Sequence, residues 1–147
     1  MLRLMGLILT ALLISCEVPH EEIDFEKDSK SDHSIEELLV LHEKAVERFG
    51  KDIYFTEGLG SFGRQGIHAA LDYIEYNHDY IGSYNSMELI FGTAASAQIN
   101  GTYWMCLDEE TMGRIRTMNR KGSSSASEQQ EFTDRLLKFC RTQELPN

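Results

Sequence analysis

Between Ser34 and Thr142, apolar residues recur at helical spacing in five separate stretches, and nowhere do they alternate as a strand would require. The first stretch is the clearest. Ser34 followed by Glu37 is a capping-box pattern. Ile35, Leu38, Leu39, His42, Ala45, Val46 and Phe49 then fall on one face, and Gly50 supplies the stop. This predicts a helix over 35–49. A second helix fits 64–78, with Ile67, Leu71, Ile74 and His78, or Ala70 and Tyr73, turned inward. A third fits 86–99, capped by Asn85 with Glu88 three residues on. Its face carries Gly92, Ala95, Ser96 and Ile99, small enough at most positions for another helix to approach closely. A fourth spans 109–120 behind Asp108. Glu109 and Glu110 lie in its first turn and Arg116 and Arg120 near its end, as the helix dipole favours. A fifth runs over 128–142, opened by Ser127 and carrying Phe132, Leu136, Leu137, Phe139 and Cys140. The residues between, Asp52–Thr56 and Thr102–Cys106, read as extended or irregular. With only two prolines in 147 residues, the expectation is a small all-α bundle of about five helices over 34–145.

The segment ahead of this domain has a different character. After Met1-Leu2-Arg3, residues 4–14 are apolar apart from Gly6 and Thr10. A short basic start and about eleven apolar residues make a secretory signal, too short to span a bilayer about 30 Å thick. It ends Leu13-Ile14-Ser15-Cys16, which resembles a bacterial lipobox: an aliphatic residue, a small one, then the cysteine that takes the lipid. Residues 1–15 are therefore expected to be a lipoprotein signal peptide, with Cys16 the lipidated first residue of the mature chain. The competing reading is an ordinary cleaved signal with Cys16 merely near its end. Glu17 follows the cysteine where an Asp would resemble an inner-membrane retention signal. The expected place is the bacterial cell envelope, on the outer membrane facing the periplasm.

Removing residues 1–15 leaves 13 basic and 24 acidic side chains, a net charge of −11. Residues 17–37 alone hold nine acids against Lys27 and Lys30. With little to bury, 16–33 is expected to be a disordered acidic tether. No basic surface is offered to a phosphate backbone, which argues against nucleic acid as a partner.

With Cys16 committed to lipid, Cys106 and Cys140 remain. In an oxidising compartment two lone cysteines usually pair. Closing a loop across 34 positions contributes about 4 kcal/mol in the chain-entropy model. The alternative, a thiol nucleophile, needs an activating histidine beside it.

Other patterns lead less far. Gly58-x-Gly60-x-x-Gly63 matches the dinucleotide fingerprint to the letter, after a short stretch (Ile53–Phe55) that could be extended. A Rossmann unit needs a second parallel strand after the helix, and Glu75–Asp79 is not one. A turning glycine loop that serves as a recognition surface is the better reading, with Gly58, Gly60, Ser61, Phe62, Gly63 and Arg64 as candidate partner-binding residues. The connector 119–127 is a second candidate. His68 and Asp72, four residues apart, could offer two metal ligands, but two do not make a site and no metal or cofactor is expected. Leu59-Gly60-Ser61-Phe62-Gly63 departs from the Gly-x-Ser-x-Gly nucleophile elbow. Tyr73, Tyr76, Tyr80 and Tyr84 cluster as recognition surfaces often do. The residues suggest no catalytic group and no enzyme.

The run from Gly92 to Ile115, Gly-Thr-Ala-Ala-Ser-Ala-Gln-Ile-Asn-Gly-Thr-Tyr-Trp-Met-Cys-Leu-Asp-Glu-Glu-Thr-Met-Gly-Arg-Ile, resembles the signature of one family. These are the small periplasmic immunity proteins of the Rap/Tai type, which protect bacteria from type VI-secreted peptidoglycan amidases. Gly92, Ala95, Gly101, Trp104, Cys106, Thr111, Gly113 and Cys140 take the family's places. The resemblance implies an all-α, disulfide-bonded and often dimeric protein that binds and plugs an amidase without catalytic residues of its own. The expected function is a lipid-anchored immunity protein whose acidic surface suits a basic enzyme cleft. The rival expectation is a structural or assembly lipoprotein, an accessory subunit of an envelope complex.

Overall fold

The computed structural model describes residues 32–51, 55–99 and 101–143. The expected signal peptide, Cys16, nearly all of the expected tether and the piece 52–54 lie outside the described residues. Those described form an all-α domain: α1 (Ile35–Phe49), α2 (Phe55–Ser61), α3 (Arg64–Tyr76), α4 (Tyr84–Ala95), α5 (Trp104–Leu107), α6 (Glu109–Gly122) and α7 (Ala126–Thr142). A two-stranded antiparallel hairpin, β1 (Gln98–Ile99) and β2 (Thr102–Tyr103), sits between α4 and α5 with Gln98 opposite Tyr103. None of these helices is long and apolar enough to cross a membrane.

The caps of α1 stand where the sequence puts them. Ser34 Oγ accepts from the Glu37 amide, the Ser34 amide donates to Glu37 Oε2 at 2.7 Å, and Gly50 closes the helix at φ 72°. Leu38, His42 and Ala45 are buried, but Phe49 is 46% exposed, so the inward stripe ends a turn earlier than its spacing suggests. In α3, Ile67, Ala70, Leu71 and Ile74 are buried. His78 is not part of that face: the helix ends at Tyr76 and His78 is an exposed residue in a left-handed turn.

Two caps differ from expectation. Helix α4 starts at Tyr84 behind Ser83, whose Oγ accepts from the Ser86 amide, so Asn85 is inside the helix. Helix α7 starts at Ala126 behind Ser125, not at Ser127. A serine-rich stretch offers several equivalent acceptors, and packing selects among them. Asp108 caps α6 as expected.

The larger corrections lie between the helices. Thr102–Cys106 is not a single extended stretch: Thr102 and Tyr103 pair with β1, and Trp104 starts the short α5. Phe55 and Thr56 belong to a helix, not to an extended piece. That helix, α2, is the centre of the fold. Phe55 and Leu59 are fully buried, and α2 packs on α1, α3 and α4. Its contact with α4 is the close approach that the small residues of α4 allow. A Cβ on Gly60 would stand 2.3 Å from Ser96 Cβ, and one on Gly92 would stand 2.9 Å from Thr56.

A second layer joins α4 to α7. Phe91 of α4 packs on Phe132 and Phe139 of α7, with ring centres 6.3 and 4.7 Å apart, and Tyr103 of β2 stacks on Phe139 at 4.5 Å.

Candidate functional site

Two stretches distant in sequence meet around α5. The first is the start of α3, the second the cysteine segment. Cys106 and Cys140 form a disulfide, with Cα atoms 5.5 Å apart, which ties α5 to the last helix. Beside it, the Tyr103 hydroxyl donates to the Gln143 carbonyl at 2.6 Å, and the Tyr103 amide donates to Gln143 Oε1 at 2.8 Å. Gln143 in turn closes α7 in a left-handed conformation. The hairpin is thus held to the end of α7 by a ring stack and two hydrogen bonds, and α5, which follows it directly, by the disulfide.

Arg64, the first residue of α3, lies over the Trp104 ring at 5.7 Å and pairs with Glu110 at 2.5 Å and with Asp108 at 3.8 Å. Asp108 Oδ2 also accepts from the Thr111 hydroxyl at 2.6 Å and from its amide at 3.1 Å. The Thr111 hydrogen bonds hold the Asp108 carboxyl below the usual carboxylate range, helped by the Arg64 and His68 charges and opposed by partial burial. His68 Nε2 shares a 2.9 Å hydrogen bond with the same Thr111 hydroxyl. An aspartate, a hydroxyl and a histidine in a row suggest a hydrolytic triad. However, Thr111 is fully buried and its proton is committed to the cap, which places it out of reach of a substrate in solvent. The trio anchors α6 to α3.

The expected recognition loop is not a loop. Gly58 and Gly60 are buried inside α2, and the chain turns only at Phe62 and Gly63, where Gly63 has φ 57° and ψ −126°. Gly66 completes the device, since a Cβ there would fall 1.8 Å from the Leu59 carbonyl oxygen. Gly60 and Gly66 therefore let α2 close on α4 and on α3, while Gly63 supplies the turn, and no amide cradle for a phosphate results. Of the six candidates, Ser61, Phe62 and Arg64 are exposed, Gly63 is half-buried, and Ser61 donates to the Gly58 carbonyl at 2.6 Å. The second candidate is shorter than expected: α6 runs to Gly122, which leaves 123–125 as the connector before α7.

The pair His68 and Asp72 is drawn apart. His68 turns to Thr111, and Asp72 accepts from Arg114 of α6 at 2.6 Å. Arg114 also donates to Glu75. Burial works against the Arg114 charge, but the two carboxylates outweigh it and raise its pKa. Among the described residues no group of three or more His, Cys, Asp or Glu side chains could hold a metal ion. Of the tyrosines, Tyr76 is 83% and Tyr84 61% exposed, whereas Tyr80 points inward.

Tyr80 leads to a network that the sequence does not advertise. Its hydroxyl donates to Asn119 Oδ1 at 2.9 Å and to the Glu128 carbonyl at 3.2 Å. Asn119 is buried and donates to the Gln129 carbonyl and to Thr133 Oγ1. One amide thereby fixes the α6–α7 crossing. The signal was an asparagine at an apolar helical position, three residues after Arg116 and one after Met118. Comparison with protein-family models, with curated proteins and with solved structures returned no match for this chain.

Proposed function

We propose that this chain is a lipid-anchored protein of the bacterial envelope that binds and inhibits a secreted cell-wall amidase, an immunity protein acting in the periplasm. The observation that carries the reading is the Cys106–Cys140 disulfide within an all-α domain. It joins the segment that carries the family resemblance to the last helix, in the pairing the resemblance implies. A disulfide of this kind also suits an oxidising, exported setting, in keeping with the apolar start and Cys16.

Inhibition asks of this chain a surface and no chemistry. The mature net charge of −11 would speed its encounter with a basic enzyme cleft. Phe62, 37% exposed beside the Gly63 turn, offers an aromatic anchor, flanked by Ser61 and Arg64. Lipid on Cys16 would hold the domain at the outer membrane, and residues 17–33 would give it reach.

A competition assay tests the proposal. The gene is deleted and the mutant is co-cultured with its parent on a surface. The expected result is lysis of the mutant only beside a toxin-competent parent, with rescue by a plasmid copy. Equal competition, with the locus confirmed as expressed, overturns immunity and favours an accessory subunit of an envelope complex, to be sought by membrane pull-down.

A further inference from the structure

Helices α6 and α7 leave a half-open cleft of about 480 Å³ between them. It is a candidate for a second site, independent of the amidase reading. Arg116 and Arg120 project from one wall, one helical turn apart, and Gln129 and Thr133 stand on the other, with Thr117 and Asn119 between. No carboxylate lines it, in a chain of formal net charge −10.

The arginines are the first observation. Elsewhere in the described domain Arg64 meets Glu110, Arg114 meets Asp72 and Glu75, and Arg135 meets Glu131, while Arg48 lies over Phe49 and Arg141, at the exposed end of α7, has no carboxylate partner and lines no cleft with a second arginine. Arg120 reaches only the Thr117 hydroxyl, at 3.3 Å, and no partner is recorded for Arg116. Like charges at this spacing repel across one helix face. Arg120, in the last turn, is partly explained by the helix dipole; Arg116 lies further back and is not.

The second observation is independent of charge. Gly113 lies on the cleft wall inside α6, where a Cβ would meet nothing within 4 Å and where no positive φ calls for glycine. Neither backbone conformation nor close packing explains it. Its missing side chain leaves the cleft open. Across from it, the Gln129 side-chain amide has no recorded partner, whereas Thr117, Thr133 and Asn119 are already tied into the helices and make a firm polar lining.

We infer that the α6–α7 cleft binds a small polar organic anion, with Arg116 and Arg120 holding a phosphate or carboxylate head and Gln129 and the threonine hydroxyls meeting its polar body. Guanidinium groups suit both heads because their paired N–H donors match two oxygens of either. The volume is that of a small-molecule site.

Nitrogen-15 NMR titration of the mature protein tests this, with inorganic phosphate and citrate as separate probes at constant ionic strength. The expected result is saturable shifts confined to residues 113–133 with at least one probe. Phosphate alone marks a phosphate head, citrate alone a carboxylate head. Arg116→Gln should weaken binding about tenfold or more. Gly113→Leu should abolish it with both arginines in place, and unchanged spectra elsewhere would show the fold intact. Shifts that rise linearly for both probes, that spread over the surface, or that survive both substitutions overturn the proposal.

Discussion

At the residue scale, glycine does two opposite jobs in this domain, and mutation should separate them. Gly60 faces Thr93 and Ser96 of α4, with a backbone oxygen 2.6 Å from where its Cβ would be. Gly60→Ala must push α2 from α4, and a urea melt of the mature protein should show a loss of about 1–3 kcal/mol. Gly113 meets nothing, so Gly113→Ala should gain about 0.5–1 kcal/mol through helix propensity alone. Asp108 gives a pH prediction. Its folded-state pKa is depressed, first by Thr111, so its contribution is full above the unfolded value of about 4 and fades as pH falls through the lower folded value. The stability gap between wild type and Asp108→Asn should therefore be widest near neutral pH and narrow below about pH 4. A gap that ignores pH would remove Asp108 from the account.

At the element scale, β1, β2 and α5 are too short to persist alone. Two residues per strand bury little, and four residues cannot offset the cost of nucleating a helix. They depend on α7, through the disulfide, the Tyr103–Phe139 stack and the Gln143 hydrogen bonds. Reduction, or Cys106→Ser with Cys140→Ser, should cost up to about 4 kcal/mol and lower Tm by roughly 10–20 °C. Amide exchange should rise first at 98–107, while α2 and the face of α4 against it stay protected. Uniform loss of protection would mean that the bridge supports the whole bundle equally.

At the scale of the whole molecule, the membrane reading rests on one side chain outside the described residues. If Cys16 carries the lipid, Cys16→Ser should abolish labelling by radioactive palmitate and move the protein from the membrane to the soluble periplasmic fraction. A wild-type protein that takes no label would return the leader to an ordinary cleaved signal, and labelling that persists in the variant would put the lipid on another residue. The competition phenotype should weaken with this variant if position at the membrane matters, and survive if binding alone suffices.

The helices α1, α3, α4, α6 and α7 are legible in the sequence because each carries its own period and at least one terminal signal, and these are local properties. The Cys106–Cys140 pairing is legible too, because only two cysteines follow Cys16. Helix α2 is not legible. Two glycines in seven residues argue against a helix by propensity, yet one of them, Gly60, is what brings its backbone against α4. The candidate site divides in the same way. The sequence marks Ser61, Phe62 and Arg64, but only folding puts Arg64 over Trp104 and beside Asp108 and Glu110. The cleft of Arg116 and Arg120 depends on the α6–α7 crossing that buried Asn119 fixes. The sequence by itself determined five of the seven described helices, the disulfide and the acidic balance, because period, cysteine number and charge do not depend on neighbours in space. Tertiary structure alone decided what each glycine is for and which arginines remain unpaired, because both depend on what the rest of the chain brings within a few ångströms.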